Sequence, residues 1–154
     1  MNRKLTNKKS FTLVELLVVV AIIGILAAGL LVGLGTARKK ARDTRRLSDL
    51  RNVQSALEAY YAQNNEYPAA TNWNDLENAL KNAGISSQLP DDPLKGWSYD
   101  YTDCDGRQRY ILRARLEDPA HNCPPNYNPP STSGCSDAGF SCPADCSWVC
   151  ITFK

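Results

Sequence analysis

The 154-residue chain has only one histidine, no cysteine before Cys104, and almost no charge over a long N-terminal stretch. Its histidine, His121, lies in a segment rich in proline and asparagine, with no G-x-S-x-G pattern or comparable nucleophile context around it. We therefore interpret His121 as a surface residue and expect that the protein is not an enzyme. The position of the cysteines limits any disulfide framework to the last third of the chain.

Acidic residues are nearly absent from the first 46 positions and common afterwards. Residues 1–10 contain four bases and no acid, and residues 38–46 contain six bases and one acid, Asp43. From Leu47 onward there are 8 bases and 14 acids, so the net charge of this part is 8 − 14 = −6. Only the basic cluster at 38–46 resembles part of a nucleic-acid-binding surface, and we predict no nucleic-acid partner.

The long apolar run between the two basic segments has a single ionisable side chain, Glu15. A helix over residues 11–37 would be roughly 40 Å long, which exceeds the hydrocarbon core of a bilayer at about 30 Å. The apolar part of a secretory signal peptide is only about 7 to 15 residues long. The pattern therefore predicts a transmembrane helix at 11–37, preceded by a basic leader at 1–10.

Cysteine usage indicates the orientation of this span. The six cysteines lie in a region rich in proline, serine, glycine and asparagine, and an even number in that setting favours disulfides formed outside the cytoplasm. We expect a cytoplasmic N-terminus and an extracytoplasmic C-terminal region. The pairing stays open, because six cysteines allow fifteen connectivities; they are Cys104, Cys123, Cys135, Cys142, Cys146 and Cys150.

Helical periodicity continues beyond the apolar run, which predicts an amphipathic continuation over 38–66. Apolar residues recur there at spacings of three and four, and form one stripe: Leu47, Leu50, Val53, Leu57, Tyr60 and Tyr61. We expect the helix to end near Asn64-Asn65, before Pro68. A second helix is predicted at Asp75–Ala83, capped by Asn74 with Glu77 three positions on.

For the remaining residues, 67–154, the sequence pattern predicts a small head domain with an antiparallel sheet. The segment "WSYDY", a turn at "DCDG" and the segment "RQRYILRARLE" read as a hairpin, in which Tyr110, Leu112, Ala114 and Leu116 share one buried face. Residues 118–147 read as a long loop held by disulfides, and "WVCITF" as a last strand. The fold class is α+β.

Two features of the head and helix leave alternatives open. Asp103 and Asp105, with Asp91, Asp92 and Asp100 nearby in sequence, offer oxygen ligands of the type that calcium takes, but a hairpin turn explains Asp105-Gly106 equally well. We expect no cofactor, with calcium as the alternative. The basic cluster at 38–46 would suit anionic headgroups, acidic neighbouring subunits, or a solvated helix face with pairs such as Arg45 with Asp49.

The basic leader is followed by "FTLVELLVVVAIIGILAA". This arrangement resembles the prepilin signature shared by type IV pilins and the pseudopilins of type II secretion, over residues 8 to about 40. Downstream, "LSDLRNVQSALEAYYAQNNEYP" is similar to the end of the long helix in the major pseudopilin. The resemblance implies a pilin-like fold, with a long N-terminal helix packed on a small sheet, and a structural subunit of a type IV pilus or a type II secretion pseudopilus.

The same resemblance implies roles for particular residues. Prepilin peptidase would cut between Ser10 and Phe11 and methylate the new amine on Phe11. The family usually has glycine before the cut; serine is also small, so we expect cleavage at a lower rate. Glu15 would then pair with the Phe11 amine of a neighbouring subunit, because a charge within a bilayer costs free energy unless it is paired.

Three glycines of the apolar run are candidates for helix flexibility and close packing, because glycine costs a helix about 0.8 to 1.0 kcal/mol relative to alanine; they are Gly24, Gly29 and Gly33.

The partners that the resemblance implies are further copies of the chain in a helical homopolymer, prepilin peptidase, an inner-membrane assembly platform, and lipid before assembly. The alternative is a permanently anchored extracellular binding or adhesion module that uses its cysteine-rich region for recognition.

Overall fold

The computed structural model describes residues 11–123, 127–136 and 140–152, without the side chains of residues 30–33 and 121–122. The chain divides into two units, Met1–Ala37 and Arg38–Lys154. The predicted leader at 1–10 lies outside the described residues. No single helix in the described ranges meets the length and hydropathy expected of a membrane span, whereas Leu13–Gly29 and Leu34–Asn64 meet them only together, as a bent pair.

The first helix, α1, extends over Leu13–Asn64, which confirms that helical structure continues from the apolar run to the predicted end. In its second half the predicted apolar stripe faces the core, with Leu50, Val53 and Leu57 at most 1% exposed. The helix ends where Asn65 adopts a positive φ of 57° and its N–H donates to the carbonyl of Tyr61 at 2.8 Å.

The second helix, α2, covers Trp73–Asn82, so the predicted start at Asp75 was wrong. The cap is Asn72 rather than Asn74: its side-chain oxygen accepts the N–H of Asp75 at 2.9 Å. The carboxylate of Asp75 accepts in turn from the Asn72 side-chain amide at 2.6 Å. The sequence offers two equivalent caps, because Asn72 and Asn74 are each followed three positions later by an acid. The helix uses Asn72, and Trp73 is therefore its first residue.

Three antiparallel strands form one sheet in the order β1-β2-β3. Their bounds are Asp100–Cys104 for β1, Arg109–Arg115 for β2 and Trp148–Ile151 for β3. The prediction placed the first strand too early and put Asp103 and Cys104 in the turn. Both pair with β2 instead, and the turn follows them with positive φ at Asp105, Gly106 and Arg107.

Strand β2 is buried on both faces, and not on one face as predicted. Tyr110, Leu112 and Ala114 belong to the core shared with α1, as the alternation predicted. Ile111 points to the other face but is also fully buried, in a second cluster with Cys104, Phe140 and Cys150. The cysteine-rich tail, which we define as residues 118–152, therefore covers the outer face of the sheet. It also contains a short helix, α3, at Pro119–Asn122, where the sequence predicted only loop.

The outer edge of β3 is covered by one side chain of the tail. The hydroxyl of Tyr127 accepts the N–H of Cys150 at 2.8 Å, and lies 3.5 Å from the carbonyl oxygen of Trp148. Because residues 148 and 150 direct their peptide groups away from β2, a side chain takes the place that a fourth strand would occupy.

Candidate functional site

The N-terminal segment presents its chemistry at the start of α1. Phe11 is 83% exposed, and Ser10 lies outside the described residues. Thr12 precedes the helix, and its side-chain oxygen accepts the N–H of Glu15 at 3.3 Å. The Glu15 carboxylate accepts in return from the N–H and the hydroxyl of Thr12, at 3.0 and 2.8 Å. This is a reciprocal capping box, which satisfies amide groups at the helix start.

The capping box is a role of Glu15 that the sequence analysis missed. Its signal was present, because Thr12-x-x-Glu15 is the pattern of a threonine cap followed by glutamate at the third helical position. Both contacts to Thr12 use the same carboxylate oxygen, Oε2. The carboxylate is exposed. One of its oxygens caps the helix, and the group remains accessible to a cation from outside the chain.

The first unit leaves its apolar surface uncovered. The exposed large hydrophobic side chains of the described residues all lie at positions 11–34: Phe11, Leu13, Val14, Leu16, Leu17, Val18, Val19, Val20, Ile22, Ile23, Ile25, Leu26 and Leu34. An apolar surface of this extent marks a region that is covered by lipid or by other protein chains.

Two glycines of this stretch, Gly24 and Gly29, have open space beside them among the described residues. A Cβ placed on Gly24 or Gly29 meets no atom within 4 Å. Gly33 is helical, and its surroundings lie outside the described side chains. Their proposed roles in flexibility and packing between subunits stay predictions.

The basic cluster of the sequence separates into two groups in the structure. Arg46 is fully buried and contacts Asp43 at 2.6 Å, Asp92 at 2.7 Å and Glu117 at 2.9 Å. Arg42 binds Glu117 as well, through Nε at 2.7 Å and Nη2 at 2.6 Å. These contacts join α1 to the loop before β1 and to the turn after β2.

The charges of this network shift one another's pKa values. Hydrogen bonds from Arg42 and then from Arg46 lower the pKa of Glu117 from 4.5 to about 2. Burial by itself would lower the pKa of Arg46, but its hydrogen bonds to Asp92, Glu117 and Asp43 raise it above the ordinary value. Arg42, Arg46 and Glu117 are therefore charged at neutral pH.

The predicted pair between Arg45 and Asp49 is confirmed, with Nε of Arg45 and Oδ2 of Asp49 3.6 Å apart. The other three bases of the cluster, Arg38, Lys39 and Lys40, are exposed.

The acidic residues considered for calcium have different partners. Asp92 binds Arg46, Asp100 binds Arg113, and Asp105 binds Arg109. The remaining two are Asp103, which accepts from the Ser136 hydroxyl at 2.8 Å, and Asp91, which is exposed. Across the described ranges, no group of three or more histidine, cysteine, aspartate or glutamate side chains is arranged to hold a metal.

Arg109 makes further contacts that link the hairpin turn to the tail. Its guanidinium donates to the carbonyl oxygens of Ser131 and Ser133, at 2.7 Å each, besides its contact with Asp105. Nearby, the Asp105 N–H donates to the carbonyl of Gly134 at 2.7 Å. A carboxylate and two carbonyls thus surround an arginine side chain.

The structure pairs the six cysteines into three disulfides and so confirms a stapled tail. The bonds join Cys104 to Cys135, Cys123 to Cys146, and Cys142 to Cys150. The first fastens the tail to the end of β1, where residues 104 and 135 also form an isolated β-bridge. The third joins Cys142, in the irregular part of the tail, to Cys150 in β3. The sequence could not show this pairing, because it depends on how the tail folds across the sheet.

A helix with an uncovered apolar N-terminal half, joined to a small disulfide-stapled α+β head, defines the class of prepilin-type proteins. Comparisons with known proteins agree. The prokaryotic N-terminal methylation motif matches residues 5–31. The chain is 49% identical over 61 residues to the type IV wide pilus major component PilA4 of Thermus thermophilus, covering 40% of this chain and 47% of that protein.

Type II secretion system core protein G is similar over a longer range. The protein of Escherichia coli is 31% identical over 111 residues, with 64% of this chain and 73% of that protein covered. The protein of Vibrio cholerae is 30% identical over 108 residues, with 64% and 72% covered. The chain therefore belongs to the family of type IV pilins and type II secretion pseudopilins. It spans about half the length of the Thermus protein and 65% of core protein G of Pectobacterium carotovorum. No solved structure matched the chain.

Proposed function

We propose that the chain is a structural subunit that is cut between Ser10 and Phe11, methylated on the new amine, and polymerised into a type IV pilus or type II secretion pseudopilus. The observation that carries this proposal is the uncovered apolar surface of the first half of α1, with one carboxylate at its start. Before assembly, lipid covers this surface; afterwards, the same surfaces of other copies do.

The proposed location follows from the same features. The chain is a single-pass membrane protein with its N-terminus in the cytoplasm and its head outside, and the three disulfides support an oxidising compartment for the head. Its proposed partners are further copies of itself, prepilin peptidase, an assembly platform in the membrane, and lipid.

Glu15 connects processing with assembly in this proposal. Cleavage leaves a cationic amine on Phe11, and the exposed carboxylate of a neighbouring copy's Glu15 would pair with it where water is excluded. Charge neutralisation in an apolar environment favours a register in which the amine and the carboxylate meet. The capping contacts with Thr12 keep the carboxylate at the start of the helix.

Two variants separate the capping role of Glu15 from its charge. Glu15→Gln keeps a side-chain oxygen for the Thr12 N–H but removes the charge, while Thr12→Ala keeps the charge and weakens the cap by about 1 kcal/mol. We expect Glu15→Gln to insert into membranes and fail to assemble, and Thr12→Ala to assemble. The measurement is the yield of sheared or pelleted filaments beside the amount of membrane-bound chain. Normal filament yield with Glu15→Gln would contradict the proposed pairing of Glu15 with the Phe11 amine, whereas a membrane-bound unsubstituted chain that yields no filaments would favour an anchored binding module.

The mass of the chain isolated from its native membrane tests processing. The expected mass is that of residues 11–154 plus one methyl group. A chain that retains residues 1–10 would show that Ser10 prevents cleavage, and the proposed maturation would then be wrong.

A further inference from the structure

Three consecutive bases on α1 have no partner among the described residues. Arg38, Lys39 and Lys40 are exposed, and their side chains form no ion pair or hydrogen bond with any described part of the chain. The nearest acids in sequence are Glu15 on one side and Asp43 on the other, and Asp43 is buried against Arg46. The three positive charges are therefore uncompensated within the described structure. We call these three residues the basic collar.

The rest of the basic cluster is already neutralised by acids of the second unit. Arg42 and Arg46 bind Glu117, and Arg45 lies 3.6 Å from Asp49. The second half of the cluster thus binds acids of the same chain, whereas the first half is available to a partner outside the chain. The sequence alone gave no means of dividing the cluster in this way.

The geometry of the collar indicates the shape of its partner. Consecutive residues of an α-helix are about 100° apart, so three in a row cover roughly 200° of the circumference while rising only about 3 Å along the axis. A protein surface that docks on one side of the helix meets one or two such side chains. A layer of anions that surrounds the helix at one level meets all three.

The position in the sequence fits such a layer. The collar follows directly on the apolar run that ends at Ala37, which is the place where a membrane-inserted helix would cross the headgroup region. Lysine and arginine keep their apolar stems against hydrocarbon while their charged ends reach phosphate. A lysine or arginine near an anionic membrane surface is attracted to it by about 1 kcal/mol.

We propose that the basic collar binds the phosphate groups of anionic lipid headgroups while the chain is in the membrane. This inference rests on the membrane-anchored state of the proposed function and adds a lipid partner to it. Extraction of a subunit into a filament would break these contacts, so the anionic lipid content of the membrane would oppose extraction.

The test uses the full chain, reconstituted in vesicles of phosphatidylcholine and phosphatidylglycerol in equal amounts, then extracted in mild detergent. Native mass spectrometry counts the lipids retained by each chain. One variant replaces the collar, by Arg38→Gln, Lys39→Gln and Lys40→Gln. The control variant removes exposed bases further along the same helix, by Arg45→Gln and Arg51→Gln.

For the unsubstituted chain and the control we expect phosphatidylglycerol to be retained at roughly five times the level of phosphatidylcholine, the factor that corresponds to about 1 kcal/mol for one basic residue near an anionic surface. For the collar variant we expect a lower ratio, which reflects only the four bases of residues 1–10 at the other end of the apolar run. Equal retention of both lipids by the unsubstituted chain would overturn the proposal, as would an unchanged preference in the collar variant.

Two further outcomes distinguish failure of the lipid proposal from failure of the proposed membrane-anchored state. If the collar variant loses self-association in lipid-free detergent while no chain prefers phosphatidylglycerol, the collar binds the acidic part of another copy, and the lipid proposal is wrong. Flotation of the vesicles before extraction tests insertion separately. A chain that does not float with them contradicts the membrane-anchored state itself, whatever its lipid preference.

Discussion

Arg46 is the residue on which the charge balance of the second unit depends. It has no exposed surface, and three carboxylates from three segments contact its guanidinium. A buried ion network of this kind contributes little net free energy compared with a well-packed apolar one, but it is sensitive to the loss of one member. Removal of Arg46 would leave Asp43 and Asp92 buried with unbalanced charge.

We predict that Arg46→Met lowers the free energy of unfolding by about 3 to 5 kcal/mol, the cost of breaking a buried pair by removing one partner. The matched control is Arg45→Met, one position earlier on an exposed side chain, for which we expect a change below about 1 kcal/mol. Denaturant unfolding of the full chain in detergent, followed by tryptophan fluorescence, measures both. Equal effects of the two substitutions would show that the network does not hold the fold together.

Glu117 makes the network sensitive to acid. Its pKa in the fold is about 2, mainly because Arg42 donates to it, against an ordinary value of 4.5. Because the folded pKa is the lower one, the stabilisation is complete above about pH 4.5 and is lost as the pH falls towards 2.

We therefore predict that the unfolding midpoint decreases between pH 4.5 and pH 2, and that Glu117→Gln reduces the slope in this range. The measurement is a thermal unfolding series across these pH values. Asp91→Asn is a suitable control, because this carboxylate is exposed and forms no ion pair with any described residue. An unchanged slope in Glu117→Gln would assign the acid sensitivity to other groups.

At the scale of elements, the tail is the part that gives the sheet a second covered face. Ile111 is buried because Phe140 and the cysteines of the tail lie against it. Arg113, on the same face, lies between the rings of Phe140 and Trp148, 4.0 and 4.5 Å from their centres. The tail has little regular structure, so its disulfides hold these contacts in place.

The three disulfides close chain segments of different length, which predicts different contributions. Cys104 and Cys135 are 31 residues apart, and Cys142 and Cys150 are 8 apart. Loop-closure entropy in the unfolded chain then makes the first bond the more stabilising by about 1 kcal/mol. We expect paired alanine substitution at 104 and 135 to lower the free energy of unfolding more than the same change at 142 and 150. The reverse order would indicate that strain or residual structure outweighs chain entropy.

The sequence predicted the elements whose signal is local and periodic. The apolar stripe through Leu50, Val53 and Leu57 was sufficient to extend α1 to its observed end, and the alternation at Tyr110, Leu112 and Ala114 placed the inner face of β2. The burial of Ile111 and the disulfide pairing could not be predicted, because both depend on where an irregular segment crosses the sheet.

The errors at element boundaries have specific causes. Asp103 and Asp105-Gly106 offered alternative turn positions, and the pairing of β1 with β2 decided between them. In the site, the spacing Thr12-x-x-Glu15 is a local signal that would have predicted the cap, because both partners lie within one helical turn. The burial of Arg46 could not have been predicted, because its partners Asp92 and Glu117 lie 46 and 71 positions away in sequence.

For the molecule as a whole, the apolar core and the uncovered apolar surface lie in different units. Every residue of the main buried core lies at or after Leu50, while the exposed large hydrophobic side chains among the described residues lie at or before Leu34. The second unit thus holds the contacts needed for its own stability.

We predict that a chain lacking residues 1–37 unfolds cooperatively, with a midpoint within a few degrees of that of the full chain in detergent. A chain lacking residues 1–49 is the control, because it loses Asp43, Arg46 and Leu47; we expect it to be much less stable. Circular dichroism on heating measures both. Loss of cooperative unfolding in the first truncation would show that the apolar half of α1 supports the head.

Tyr127 has a consequence that reaches beyond the single chain. In a filament the heads are crowded at very high local concentration, a condition in which bare sheet edges join to one another. The Tyr127 hydroxyl occupies the outer edge of β3 through the Cys150 N–H. In the proposed filament, a head whose edge is closed in this way would not add a neighbour's strand at β3, and subunits could separate there without breaking a shared sheet.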